Sequence, residues 1–428
     1  MKKYSIIFIS FFIVRIIFSF LIGFYNNYSL QPDSIYLIQF ADNAVKGDFN
    51  FDFGRFITSP VFPCFAALLK ISFGQYWNTS LILFQIILSS ISGIFIYKIS
   101  NILFNNSLTA AISTIIYCFF PMTFWYVNTF SQETLFQSLF IITIYYLIDA
   151  YKNENIKSLI FSAVFFSLTY LTKSHILLFS LFVPLLFFIT LKSFKKSLLY
   201  TSIFASIALI CSLPYGLYHL KKNNTYVLSS NGSGFQFYLG NTNAGYKSIV
   251  DIPKKTSSDY TKIKDITNTA GYFNGDETRF DSIISLTQDK KQKIFFADAF
   301  LWIRSHPKDI LKLKLYDFII YLMPGVSYRH YPILEWAFSF LISFPIYLFA
   351  YLGLYKSCTQ NHREHFFMIA IFLTMILFST VFYVQNRFRT ITIEPFYILY
   401  AGYFIQAVLM KYFPSFTKKC TNPTLSSL

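Results

Sequence analysis

The chain is predicted to be all-α and to cross a membrane roughly ten times or more. Three observations predict this. Hydrophobic residues make up 54% of the 428 positions and charged ones only 13%, and mean hydropathy is +0.48. That is more apolar surface than a soluble chain of this length needs, so lipid must be part of its solvent. The apolar residues fall into runs of about twenty, the length of a membrane-crossing helix. Lys and Arg gather in the short loops between runs, and that asymmetry sets orientation.

The runs, taken in order, cover about 4–24, 78–98, 108–126, 132–150, 157–173, 175–191, 197–218, 333–355, 366–384 and 393–412. The first follows Met1-Lys2-Lys3 like a signal peptide. It is too long for one and lacks a prompt small-residue cleavage site, so it is read as a retained span. With alternating spans, Lys2 and Lys3, Lys98, Lys152 and Lys157, Lys192, Lys195 and Lys196, Lys356 and Arg363, and Lys411, Lys418 and Lys419 share one side. That side is the cytoplasm, and both termini lie there. Outside fall the loop 25–77, the tip near Ser131 to Glu133, the segment 219–332 and the tip 385–392. Three parts follow: an N-terminal membrane module, 1–218, an outer segment, 219–332, and C-terminal spans, 333–428.

In the first outer loop, Pro32 to Gly47 reads as one helix and Phe65 to Phe73 as an amphipathic one beyond Pro60-Val61-Phe62-Pro63, both lying on the membrane surface. The outer segment mixes turns such as Asn231-Gly232 and Asn274-Gly275 with a late helical stretch, Lys290 to Tyr321, containing Ser305-His306-Pro307. The net charge of +16 comes without a clustered basic patch, which argues against nucleic acid as a partner. Five scattered Cys, without CxxC spacing, support neither a disulfide framework nor a zinc site.

Few acids are available, so their positions count. Asp33 stands just outside the first span, where a carboxylate stays charged cheaply. It shares a helical face with Tyr36, Phe40 and Ala44, while Asp42 falls half a turn away. Asp33 fits a general base that takes a proton from a hydroxyl or an amine; it equally fits an acid stabilising a helix N-terminus. Glu133 opens a span on the same outer face and has the same two readings. Arg387 and Arg389 occupy an outer tip against the orientation rule. Guanidinium groups there bind a phosphate through paired hydrogen bonds, meet lipid headgroups, or pair with Glu394. Arg15, mid-span, faces the bundle interior, for an ion pair or a phosphate. Lys173 and His175 sit at a span junction, facing the outer cavity or, for the Lys, snorkelling. The patch Ser229 to Asn241, rich in Gly and amides, suits either sugar binding or an ordered turn system.

Taken together and in order, Asp33-Ser34-Ile35-Tyr36, Ser59-Pro60-Val61-Phe62-Pro63, Ser131-Gln132-Glu133, Leu171-Thr172-Lys173, the Asn231 to Asn241 patch, Ser305-His306-Pro307 and Arg387-Phe388-Arg389 resemble the C-type membrane glycosyltransferases. The resemblance is to their bacterial family 39-like branch, related to protein O-mannosyltransferases and to the lipid A aminoarabinose transferase, and covers most of the chain. It implies the C-type fold, a polyprenyl-phosphate-linked sugar as donor, and a lipid, glycan or protein acceptor at the outer face of a bacterial inner membrane. It implies Asp33 and Glu133 as the functional acids, Arg387, Arg389 and Lys173 near the donor phosphate, and Tyr36, Arg55, Asn231 and Asn241 at the substrate. A divalent cation could assist, but no ligand cluster demands one. The chain departs from the pattern at Asp33-Ser34, where many relatives have Asp-Glu. It departs again at Phe56-Ile57-Thr58-Ser59, where aminoarabinose transferases carry an acidic-basic pair. These departures bear on metal use and on the sugar. The competing functions are a polymerase or ligase of polyprenyl-linked polysaccharide, whose key residues would sit in a large outer loop, and a lipid-linked sugar flippase. The latter predicts midplane acids and repeated halves, which the sequence lacks.

Overall fold

Within the described residues the predicted runs are largely helical in the computed structural model, which describes residues 2–21, 34–52, 54, 56–191, 193–243, 245–246, 250, 282–283, 285–326, 333–359 and 364–413. The first seven helices are α1 (Lys2–Leu21), α2 (Ser34–Val45), α3 (Val61–Phe73), α4 (Trp77–Phe104), α5 (Ser107–Phe119), α6 (Glu133–Lys152) and α7 (Ile156–Thr172). A 3-10 stretch, Ser174–Leu181, leads into α8 (Val183–Leu191), α9 (Phe194–Asn223) and α10 (Ser233–Gly240). Then come α11 (Gln288–Ser305), α12 (Pro307–Leu322), α13 (Ile333–Thr359), α14 (Glu364–Val381), α15 (Asn386–Thr392) and α16 (Glu394–Tyr412). By length and composition six helical stretches among the described residues suit a membrane crossing, or seven counting the α15–α16 pair, bent by 56°. Three shorter apolar helices, Ser107–Phe119, Ile156–Thr172 and Met368–Val381, fill other predicted runs. The protein is a multi-pass membrane protein.

Two of the helices, α1 and α13, turn much of their apolar surface outward. On α1, Ile6, Ile9, Ile13, Ile17 and Phe20 are exposed, whereas Phe11, Arg15 and Ser19, four residues apart, are buried. On α13, Leu334, Phe338, Leu341 and Leu348 face outward, while Ser339, Ser343, Ala350 and Gly353 are buried. Lipid tails offer apolar side chains no penalty, so small and polar residues take the helix contacts. Gly353 shows why: a Cβ there would run into the Tyr400 carbonyl, at the α13–α16 crossing. α6 is the centre of the bundle, packed on α4 and α7 and buried along most of its length.

Several expectations change in detail. The run 175–191 is not one α-helix: it starts as the 3-10 stretch Ser174–Leu181, directly after Lys173, whose extended backbone ends α7. The stretch Lys290 to Tyr321 is two helices, α11 and α12, because Pro307 lacks an N–H and starts a new helix after His306. The Ser229 to Asn241 patch is not a turn system; from Ser233 it is helical. α2 and α3 pack on each other and bury Leu37, Phe40, Phe62 and Ala66 in their own core.

Among the described residues Arg15 pairs with no acid. Its guanidinium donates to the carbonyls of Cys118 (2.5 Å) and Tyr117 (3.3 Å) and to Ser89 Oγ (3.2 Å), between the rings of Phe11 and Phe124. α5 stops at Phe119 before Pro121, and the carbonyls that its last turn leaves open must find donors inside the membrane. Arg15 supplies the donor for Cys118 and shares the Tyr117 carbonyl with Thr123 Oγ1, at 2.9 Å.

Candidate active site

Glu133 is the first residue of α6, and Lys173 follows the last residue of α7. The antiparallel pairing of these two helices brings the two residues together at the outer end predicted for both. Lys173 Nζ donates to Glu133 Oε1 at 2.7 Å, with both side chains almost completely buried. Arg387, second residue of α15, brings Nη1 to 3.6 Å from the same oxygen. Its Nε donates to Gln385 Oε1 at 2.5 Å. α15 is held there by Gln137, whose amide donates to the Thr390 carbonyl at 3.3 Å. Two cations thus share one carboxylate, and the trio keeps an excess positive charge. A buried carboxylate and ammonium are tolerated only because they are paired.

A cavity of about 850 Å³ opens beside this cluster. At one end its wall holds Lys173, Arg387, Gln132, Gln236, Gln385 and Tyr36. At the other it holds Leu181, Pro184, Phe204, Ala208 and Leu209, from the 3-10 stretch, α8 and α9. Leu181 and Leu209 are 70% and 56% exposed, so the apolar end is open.

The described residues of 34–59 are fastened beside the polar end. Ser34 Oγ donates to the Phe130 carbonyl at 2.7 Å, which pins the start of α2 beside the Ser131 to Glu133 corner. Tyr215 OH donates to the Thr58 carbonyl at 2.6 Å, and Ser59 Oγ lies 2.8 Å from Ser229 Oγ. From above, α11 grips the same loop: Gln288 donates to the Asp52 carboxylate at 2.7 and 2.8 Å, and Lys291 to the Gly54 carbonyl at 2.6 Å. Burial holds the Lys291 ammonium below the ordinary lysine pKa, partly offset by Asp52.

Of the residues expected at the site, Glu133, Lys173, Arg387 and Tyr36 converge on or beside the cavity. Asp33 and Arg55 lie outside the described residues. Asn231 and Asn241 do not line the cavity. Asn231 Oδ1 accepts from the Ile57 N–H (2.7 Å), clasping the first loop. Asn241 donates to the Phe237 and Val381 carbonyls, both at 2.8 Å, tying α10 to the end of α14. Their neighbours Ser230, Gly232, Ser233 and Gln236 are in the wall instead. The α10–α14 contact is tight: a Cβ on Gly240 would strike the Phe382 carbonyl, backbone against backbone. Gly240→Ala is therefore expected to displace this wall and lower the thermal unfolding temperature of the purified protein by several degrees; an unchanged midpoint would show that the contact gives way freely.

Arg389 is 1% exposed and does not line the cavity. Its Nε donates to Glu394 Oε1 at 3.0 Å, and its Nη groups to the carbonyls of Tyr321 (3.1 Å), Met323 and Gly325 (2.5 Å). It therefore caps the end of α12, as Arg15 caps α5, and pairing with Glu394 is the reading the geometry favours over phosphate. Gln236 lies in the amide-rich patch read for sugar binding, whereas Gln132 and Gln385 carried no role in the sequence and come to the cavity only through the fold. Among the described residues no group of three His, Cys, Asp or Glu is placed to hold a metal ion. Glu133 is already engaged by two cations.

Residues 58–218 match the family model described as dolichyl-phosphate-mannose-protein mannosyltransferase. No curated protein matches the sequence significantly. Among solved structures, the oligosaccharyltransferase of Archaeoglobus fulgidus in its apo form superposes with a TM-score of 0.58 at 10% identity, over 97% of this chain and 52% of its own. The same archaeal enzyme, AglB, in complex with an inhibitory peptide and a dolichol-phosphate gives a TM-score of 0.56 at 10% identity, over 96% and 50%. The chain thus spans about half the length of those proteins. ArnT from Cupriavidus metallidurans, bound to undecaprenyl phosphate, aligns over 96% of this chain and 78% of its own at 11% identity, with a TM-score of 0.40 that adds nothing to the assignment. The chain thus shares the all-helical, multi-pass fold of the archaeal oligosaccharyltransferase, and its residues 58–218 match the dolichyl-phosphate-mannose-protein mannosyltransferase family model.

Proposed function

We propose that this protein transfers a sugar from a polyprenyl-phosphate carrier to a hydroxyl or amine acceptor at the outer face of a bacterial inner membrane. The observation that carries the reading is the two-ended cavity. Its open apolar wall suits an isoprenoid tail, and Arg387 and Lys173 at the other end suit the phosphate. The archaeal structure of this fold that holds a dolichol-phosphate supports the same class of ligand.

In this reading Asp33 takes the proton of the acceptor, which attacks the anomeric carbon. The bond from that carbon to the phosphate oxygen breaks, and the electron pair leaves on the phosphate. Preorganised cations stabilise charge where it develops, at no cost of reorganisation during the reaction. Glu133 holds Lys173 and Arg387 in place and keeps their charge from repelling. Tyr36 lies three residues beyond Asp33, and Ser34 beside it is fastened to Phe130. These neighbours support a role for Asp33 at the polar end. Arg55 remains a candidate for the substrate, from the same loop as the cavity residue Phe56.

Arg387→Gln is expected to raise the KM for a polyprenyl-phosphate sugar on the order of ten- to a hundredfold and to lower kcat, because a charge-assisted contact to phosphate is lost. Transfer assays in membranes with labelled donor check this. Kinetics equal to wild type would remove Arg387 from the donor site.

A further inference from the structure

Next to the cation pair stands a histidine that the mechanism above leaves unused. His175 follows Lys173 by two residues, is 7% exposed and lines the cavity. Its ring is stacked between Phe136 and Phe388, each with its centre 4.9 Å away, and Phe378 lies at 5.5 Å. Phe388 is shared: Lys173 Nζ is 5.2 Å and Arg387 Cζ 5.8 Å from the centre of the same ring. Imidazole, ammonium and guanidinium therefore gather around one phenyl group. Yet His175 Nε2 is closed off from solvent and has no hydrogen-bond partner among the described residues. A buried polar atom without a partner is costly and calls for an explanation, such as a missing ligand. A phenylalanine would fill this aromatic slot without that cost, so stacking alone does not account for a histidine.

We propose that His175 is a phosphate-binding residue: a turn of its ring between Phe136 and Phe388 opens the enclosed nitrogen to the cavity, and its N–H then donates to an oxygen of the lipid-linked phosphate that Lys173 and Arg387 attract. The proposal rests on reading the cavity as a lipid-phosphate site. A phosphate is favoured over a sugar hydroxyl because both cations converge on the ring that His175 stacks against.

The test compares binding of undecaprenyl phosphate and of undecaprenol to the full chain purified in detergent. His175→Phe keeps the stack and removes the nitrogen. It is expected to keep or raise the wild-type unfolding temperature, to bind the phosphate lipid on the order of tenfold more weakly, and to bind the alcohol as before. His175→Gln, which restores an N–H, is expected to recover part of the loss. Equal affinity of wild type and His175→Phe for the phosphate lipid overturns the assignment of His175 alone. A folded wild type that does not distinguish phosphate from alcohol overturns the lipid-phosphate reading and this proposal with it. Should His175→Phe fail to fold, His175→Met makes the same comparison with a flexible side chain, and the same outcomes decide.

Discussion

Asp33→Asn is expected to lower sugar transfer by two to four orders of magnitude, the usual contribution of a positioned general base. The amide is nearly the same size as the carboxylate but cannot accept the acceptor's proton, so protein level and retention of donor lipid should stay at wild-type values. Label followed from a polyprenyl-phosphate sugar pool in membranes measures both. Asp33→Glu, which keeps the carboxylate at a shifted position, should retain more activity than Asp33→Asn. Transfer by Asp33→Asn at the wild-type rate would take Asp33 out of the mechanism and turn attention to another acid of the outer face. Glu133 would be the poorer substitute, since its carboxylate is already bonded to Lys173 and approached by Arg387.

Arg389→Leu is expected to act on folding rather than on the donor. It would leave Glu394, 1% exposed, without its cation. The carbonyls of Tyr321, Met323 and Gly325 would lose their donor as well. Stranding one member of a buried ion pair costs ~3–5 kcal/mol. Each orphaned buried carbonyl adds about 1–3 kcal/mol. Against a total stability of roughly 5–15 kcal/mol, such losses leave little folded protein. Tyr347 OH, 2.6 Å from Glu394 Oε1, cannot neutralise the charge left behind. Arg389→Leu combined with Glu394→Gln should recover part of the loss, because the double variant strands no charge. Accumulation and thermal unfolding in detergent are the readouts. If Arg389→Leu folds normally and loses only donor binding, then Arg389 serves the phosphate after all and the capping account is wrong.

Much of the architecture was legible because membrane constraints act locally. A run of about twenty apolar residues has to be a helix wherever it lies, since only a helix pairs its own backbone groups in lipid. α1, α6, α13 and α16 were therefore readable from composition alone. The boundary after Lys173 was readable as a short pair of spans, but its 3-10 form was not. That form depends on how the chain packs after α7 ends, and hydropathy does not register it. The break at Ser305-His306-Pro307 was visible in the proline, although its consequence, two separate helices, was not drawn from it.

The site divides in the same way. Glu133, Lys173 and Arg387 stood out because charge is scarce in this chain and each sits at the end of an apolar run. Which charge meets which could not be read. Arg387 and Arg389 are two residues apart and chemically identical, yet one lines the cavity and the other caps α12. On the short helix α15, two residues correspond to about 200° of rotation, so the two guanidinium groups must point to nearly opposite sides. The patch from Ser229 to Asn241 suited a sugar or a turn system, and the sequence did not show that Asn231 and Asn241 bond to the backbone of distant segments. The sequence by itself determined that the chain lives in lipid, where its helices run, and which scarce charges were available for chemistry. The tertiary structure alone decided that Lys173 and Arg387 share Glu133, that Arg15 and Arg389 close helix ends, and that the cavity has one apolar and one cationic end. Those outcomes depend on contacts between residues 40 to more than 250 positions apart, and a local pattern carries no information about them.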